Sequence, residues 1–327
     1  MQGANAEVIS LLKDSFEFEK KHLFQIAATQ YGDGCFLYSY KLGDVDLFPL
    51  WFIHIATEYI KETGRFDILD ENLPFIGKSF KIQLCNQYGA VSYSPGESPL
   101  YYHLEYAFDT FCKQLSACSI TNQDKAKNII AAGLFSLIGK DFVKLCSYSD
   151  IYFGACLAAK KLRQITSAYT PIFSDISLLP DMRSLMNNKD CHCGSDSSLK
   201  KCFCKEIGQF VKSQILGVIS LFSKKTASEF WLETKAAWTH KEMMEWIIGI
   251  KPGFEGLCVD PCIPDKFPVC EAERYFRNAV YSITVVNPDK MPVEIKKLTV
   301  DQVEYLGNTL PNFADGKFHT AEIIMGP

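Results

Sequence analysis

The stretch "GFEGLCVDPCIP", Gly253–Pro264, holds two glycines, two prolines and two cysteines in twelve residues. What lies on either side of it decides the fold. Upstream, apolar residues recur at three- and four-residue spacing, the period of an amphipathic helix. Downstream, Tyr281, Ile283 and Val285 alternate with Ser282, Thr284 and Val286, the period of a strand. The stretch therefore reads as a joint between a helical body and a small β unit, with Pro252, Pro261 and Pro264 fixing φ at its ends. Cys258 and Cys262 read as small, buried apolar residues there.

Working backwards, KEIGQFVKSQILGVISLF puts Ile207, Phe210, Val211, Ile215, Val218, Ile219 and Phe222 on one stripe. Trp238 to Ile250 makes a further helix. LYYHLEYAFDTFCKQL aligns Leu100, Leu104, Ala107, Phe108, Phe111 and Leu115 on one face, and Ala126 to Cys146 continues in the same manner. Pro49 stands at the first turn of PLWFIHIATEYIKETG and Gly64 at its end, the usual asymmetry of helix termini. Working forwards, Asn287-Pro288-Asp289 turns the chain, Lys297–Val300 reads as a strand, and Asp315-Gly316 between two extended runs signals a hairpin. The first half thus reads as helical throughout.

The 327 residues are 47% apolar, 13% aromatic and 22% charged, an ordinary globular composition with room for one large domain or a large and a small one. A net charge of -4 with no basic stripe excludes electrostatic nucleic-acid binding. The apolar runs, such as Ile129 to Gly139, are too short to span a bilayer, so no membrane partner is expected. Glu7, Asp14 and Glu17 break up the N-terminus, which does not read as a signal peptide. Thirteen cysteines spread over helices and loops then imply reduced thiols in a cytoplasmic protein.

The joint and its flanks, WTHKEMMEWIIGIKPGFEGLCVDPCIPDKFP running on into RYFRNAVYSITVVNP, resemble the glycoside phosphorylases of the cellobiose and chitobiose phosphorylase family. That family carries "LGIRP", then "DGL.VDPCIP", then "GATY.I.V.NP". NTLPNFADGKFHTAEIIMG resembles the family's C-terminal segment, and WFIHIATEYIKETGRFDILDENLPF, SPLYYHLEYAFDTF and AKNIIAAGLFSLIGKDFVKLC resemble its barrel helices in the right order. The resemblance implies a mainly α fold: an incomplete (α/α) barrel-like helical domain over 1–250, then a small C-terminal β element over 251–327. It implies a shortened and diverged member, with a disaccharide or oligosaccharide as partner and inorganic phosphate as co-substrate if the chain is active; no other cofactor is required.

Inverting phosphorolysis needs an acid for the leaving oxygen and a cradle for phosphate on the opposite face. The family's acid lies in a "DWND" loop. The corresponding stretch here, SACSITNQDK, contains only Asp124 as a carboxylate, which reads either as a displaced acid or as a solvated charge. The family's phosphate turn, "WLTG[ST]", appears as WLETKAAW. Glu233 stands where the phosphate-binding hydroxyl belongs and would repel the anion, while Thr234 is one position out of register. The family's paired Asp falls near Asp44 and Asp46 in GDVDLFPLW. Asp46 and Trp51 are the candidates for sugar contact, as carboxylate acceptor and aromatic platform; the alternative reading makes Asp46 a helix-start residue and Trp51 a core residue.

The segment KDCHCGSDSSLKKCFC, within about 189–205, brings Cys191, Cys193, Cys202 and Cys204 together with His192. Four thiolates suit tetrahedral zinc, with Gly194-Ser195 as the turn. C-x-C pairs reach one ion only over a bent backbone, so free thiols are the competing reading. Two functional readings follow. One is a carbohydrate-active protein of the disaccharide phosphorylase type with its phosphorolytic machinery lost. The other is a non-catalytic sugar-binding or protein-interaction remnant of that family. Full apolar stripes on the remaining helices imply a homodimer that covers them.

Overall fold

The computed structural model describes residues 16–42, 44–76, 82–86, 89–93, 96–118, 125–173, 244–245, 248–261, 268–288 and 295–326. The chain divides into two compact units. One holds Phe18–Thr57 and the chain from Phe66 through the described helices; the other holds Glu58–Arg65 and the described residues from 244 onward.

The first unit opens with α1 (residues 16–27) and a two-stranded ribbon of β1 (Lys41–Leu42) and β2 (Val45–Asp46). Helix α2 (Phe48–Thr63) follows, its last residues from Glu58 onward belonging to the second unit. Pro49 stands in its first turn, and Gly64 ends it with φ of +70°, a left-handed conformation that suits glycine. β3 (Asn72–Pro74) pairs with β6 (Glu97–Pro99), and β4 (Ile82–Asn86) pairs with β5 (Gly89–Tyr93), both antiparallel. Three long helices follow among the described residues: α3 (Leu100–Ala117), α4 (Lys125–Tyr148) and α5 (Tyr152–Phe173). All six residues of the expected α3 stripe are buried. Phe108 packs on Phe142 and Phe135, with ring centroids 4.9 and 5.1 Å apart, and Phe111 packs on Phe135 at 5.6 Å. Gly139 lets α4 close on its neighbours, since a Cβ there would lie 2.8 Å from the Leu162 side chain.

The second unit is built on sheets. β7 (Ile250–Pro252) and β8 (Leu257–Val259) form an antiparallel hairpin, and β13 (Thr309–Leu310) adds to β8. The larger sheet runs in the order β12 (Val303–Tyr305), β11 (Ile295–Val300), β14 (Phe318–Met325), β10 (Ala279–Val286), β9 (Val269–Phe276). Only β10 and β14 are parallel among its pairs. Tyr281, Ile283, Val285, Leu298, Val300, Ala321, Ile323 and Met325 form one core with Ile250, Leu257, Val259 and Leu310. The alternation read at residues 281–286 is present, with the odd-numbered side chains buried.

The expected mainly α, (α/α) barrel-like fold is not what the chain forms: among the described residues the content is mixed, with a five-stranded sheet, a three-stranded sheet and three two-stranded ribbons beside the helices. Strands of two to five residues between helices are too short to display a period, which is why the first half reads as uniformly helical. Two local expectations are also corrected. Asp315-Gly316 is not a hairpin turn, because β13 and β14 lie in different sheets. Ile250 does not end a helix but begins β7. The joint is itself a hairpin. Gly253 N–H donates to Gly256 O at 2.8 Å, and Cys258 is half-buried rather than sealed, its sulfur accepting from Asn308 Nδ2 at 3.4 Å. Among the described residues no helix is long and apolar enough to cross a membrane.

Candidate functional site

The polar end of the helical unit gathers around the β1–β2 ribbon. Asp46 lies two residues before α2, and its Oδ1 accepts from Phe48 N–H at 3.0 Å, the two-residue closure of an Asx turn. The same oxygen accepts from Tyr40 N–H at 2.8 Å, and Asp46 N–H donates to Gln114 Oε1 of α3 at 2.8 Å. Asp46 thus ties the ribbon, the start of α2 and the end of α3 together. Asp44, exposed on the same ribbon, accepts from Asn128 Nδ2 of α4 at 3.2 Å. Asn128 is 1% exposed, and its Oδ1 has no hydrogen-bond partner. Two carboxylates and two amide side chains, from the ribbon, α3 and α4, therefore meet at one end of the unit. Hydrogen-bond acceptors of this kind suit the hydroxyl groups of a polyol.

The neighbouring thiols are held in the neutral form. Burial pushes Cys35 up, and Asp33 and Asp46 add to it. Burial likewise raises Cys118, with the Asp44 charge adding to it. Neither is a poised nucleophile, which needs a lowered value.

Trp51 does not join this surface. It is 1% exposed in the core of the unit, edge-on to His54 at 6.2 Å, so its ring offers no face to a sugar. Asp124, Thr234, Glu233 and the four cysteines Cys191, Cys193, Cys202 and Cys204 lie outside the described residues. Among the described residues no group of three or more His, Cys, Asp or Glu side chains is placed to hold a metal ion.

Two polar clusters escaped the sequence reading. Glu105 and Asp109 sit one helical turn apart on α3, with Asp109 paired to Lys161 of α5. Burial raises Glu105 and the charge of Asp109 adds to it, against Lys161 and the Tyr101 hydroxyl. A Cβ at Gly154 would lie 2.2 Å from that hydroxyl, so α5 can approach only as glycine there. The i, i+4 carboxylates were visible in LEYAFD, but not their partner 52 residues away. His103 is fully buried, with Nδ1 2.8 Å from Gln30 Oε1 and Nε2 3.0 Å from Leu73 O, and it stacks on Phe75 at 3.8 Å. Burial lowers it to about 4. Cys112 and Cys146, also buried, are pushed up to about 12 by the same cause.

No family model matches the chain. Over 95 residues, 29% of its length, it is 32% identical to solabiose phosphorylase of Paenibacillus borealis. Over 100 residues, 31% of its length, it is 34% identical to N,N'-diacetylchitobiose phosphorylase of Vibrio proteolyticus. Over 74 residues it is 36% identical to 3-O-beta-D-glucopyranosyl-beta-D-glucuronide phosphorylase of Paenibacillus borealis. The matched stretches span only 12%, 12% and 10% of those proteins' own lengths. Over part of its length this chain is thus similar to disaccharide phosphorylases.

Proposed function

We propose that the chain is a carbohydrate-binding relative of the disaccharide phosphorylases that carries out no phosphorolysis. The observation that carries this reading is the stretch between α3 and α4, where Asp124 is the sole carboxylate in the place of the family's acid loop. Glu233 at the phosphate turn points the same way, because its charge repels the attacking anion at short range. A missing general acid forgoes roughly a hundred- to ten-thousand-fold in rate. Losing the oriented phosphate compounds this on the same transition state.

The ligand is a disaccharide or oligosaccharide. Its hydroxyls are met by the acceptors of the β1–β2 end, where Asp46 uses Oδ1 for the backbone and leaves Oδ2 for the sugar. The alternative, a protein-interaction remnant of the same ancestry, is separated from this by sugar titration alone. The reading includes a cytoplasmic homodimer. It also includes at most weak zinc binding at the 189–205 cysteines, since the C-x-C spacing strains a common site.

The test is phosphorolysis of cellobiose and N,N'-diacetylchitobiose, and synthesis from a sugar 1-phosphate, followed as phosphate consumed or released. Background rates are expected, together with calorimetric binding of at least one of these sugars. Turnover at enzymatic rates that disappears in Asp124→Asn would sink the reading and make Asp124 a relocated acid.

A further inference from the structure

The β-rich unit contains a charged cluster that the proposed function does not use. His319, on β14, has a side chain only 7% exposed, and both ring nitrogens face carboxylates: Nδ1 lies 2.7 Å from Asp301 Oδ2 and Nε2 lies 3.0 Å from Asp315 Oδ1. A carboxylate offers only acceptors, and a neutral imidazole has a single N–H. Both contacts are hydrogen bonds only when the ring is the doubly protonated imidazolium. Its face is covered by Phe313, stacked at 3.9 Å with 13° between the planes. A cation over an aromatic face adds attraction of its own.

The two acceptors belong to two strained segments. Asp301 and Gln302, the turn between β11 and β12, both have positive φ, 50° and 69°. Such a turn is ordinarily made by Asn-Gly or Asp-Gly. Here Asp301 is held by its own side chain: Oδ1 accepts from Thr320 N–H at 2.8 Å while Oδ2 faces His319. Asp315 sits in the 311–317 loop, next to Ala314 at φ +51°. That loop is fastened at Phe313 N–H to the Tyr281 hydroxyl, 3.3 Å, at Gly316 N–H to Asn278 O, 2.7 Å, and at Asp315 to His319, while its carbonyls at Pro311, Ala314 and Lys317 accept from the Tyr281 hydroxyl, Asn278 Nδ2 and Val280 N–H.

We propose that His319 is the centre of a pH-set latch, which while doubly protonated holds the 311–317 loop and the Asp301–Gln302 turn against the sheet, and which frees the loop when it loses a proton. The charged and titratable groups around the ring are Asp301 on the β11–β12 turn, Asp315 and Lys317 on the loop, and Tyr281 on β10. Lys317 is spoken for, lying 3.4 Å from Asp315 Oδ2. Tyr281 is raised by burial and stays neutral. Hydrogen bonding from His319 lowers both carboxylates, Asp315 to about 2, so they remain ionised through the neutral range. Burial alone would lower the imidazole, but the hydrogen bonds and charges of Asp301 and Asp315 outweigh it and raise its folded value. With a raised folded value the latch is complete below the ordinary imidazole value and is lost as pH rises through the raised one. Within that window the opening equilibrium grows towards roughly tenfold per pH unit, then levels off.

The test follows the His319 ring nitrogens by NMR in the full chain as pH is raised, with amide exchange at Phe313, Gly316 and Lys317 normalised to unstructured rates. The expected result is titration above the ordinary imidazole value, with loop protection falling across the same window. In His319→Gln the loop is unprotected at every pH, and in Asp315→Asn the titration moves down. Titration of the unaltered chain at or below the ordinary value, or loop protection that stays flat across the His319 transition, overturns the proposal whether or not the variants fold.

Discussion

Arg277 grips the main-chain carbonyl of Lys61 with two N–H groups at once, Nε at 3.2 Å and Nη2 at 2.9 Å. Lys61 is in the last turn of α2, where carbonyls have no partner within the helix. The same guanidinium donates from Nη2 to Gly253 O at 2.9 Å and from Nη1 to Phe254 O at 3.1 Å. It sits at φ +44° in the turn between β9 and β10, beside Asn278 at +67°, and Gly64 leaves room for it. One side chain therefore caps a helix and fixes the β7–β8 hairpin.

Replacing it shows what the fork contributes. Arg277→Ala removes charged donors from three carbonyls in part-buried surroundings and is expected to cost roughly 2–4 kcal/mol in urea unfolding. Arg277→Lys keeps the charge but reaches one carbonyl at a time, so it is expected to recover less than half of that loss. A lysine variant as stable as the parent would show that charge, not the fork, matters.

Gly249 carries the entry into the joint. Its φ is +80°, and a Cβ there would lie 2.0 Å from Asp260 O, the residue whose N–H bonds back to Gly249 O at 2.8 Å. Gly249→Ala therefore meets both backbone strain and a backbone clash, and about 3 kcal/mol or more is expected to be lost. Gly307, at φ +90° with nothing within 4 Å, supplies the control. There alanine meets strain alone and should cost about 1–2 kcal/mol. Equal losses at the two positions would remove the steric argument.

How much of this was legible follows from what each signal encodes. Pro49 and Gly64 announced α2, and the Leu100–Leu115 stripe announced the buried face of α3, because caps and periods are local. The alternation at Tyr281, Ile283 and Val285 identified a strand and its buried face. It did not identify β14 as its parallel neighbour, since a period of two names a face and not a partner. For the same reason Asp315-Gly316 looked like a hairpin. Arg277 gave no local sign of its bond to Lys61, and His319 none of its bond to Asp301, as both pairs are made only by the tertiary fold. At the candidate site, Asp46 is named by the resemblance to the family's paired Asp, whereas Gln114 and Asn128 lie on other helices and carry no motif.

His103 should oppose His319 in its response to acid. Gln30 Oε1 and Leu73 O together invite two N–H groups from the ring, which would require a charge. Burial decides against it: the site is fully enclosed, and a charge there costs more than one unmade contact. With the folded value lowered to about 4, the unfolded chain binds the extra proton first as pH falls. The contribution of neutral His103 is therefore complete above the ordinary imidazole value and drains away towards pH 4, on the order of 3 kcal/mol in all. Urea midpoints measured at successive pH values should fall through that window, and His103→Gln should flatten the fall. A slope unchanged in the variant would assign the acid sensitivity elsewhere.

The carboxylate of Asp46 has two possible duties, and substitution separates them. As an Asx turn it needs only an oxygen at the Oδ1 position, to accept from Tyr40 and Phe48 N–H. Asparagine supplies that oxygen, so Asp46→Asn should unfold within about 0.5 kcal/mol of the parent, whereas Asp46→Ala should lose about 1–2 kcal/mol. As a sugar acceptor it needs its charge, because a charged acceptor outweighs a neutral one by an amount that corresponds to roughly tenfold in affinity. Calorimetric titration of Asp46→Asn with the bound sugar is therefore expected to show an intact fold and a tenfold weaker complex. Trp51→Phe serves as the opposite control: the buried indole leaves a cavity, so stability should fall by about 1–3 kcal/mol with sugar affinity unchanged. Unaltered affinity in Asp46→Asn would leave Asp46 as a helix-start residue and move the sugar contact to Asp44 or Asn128.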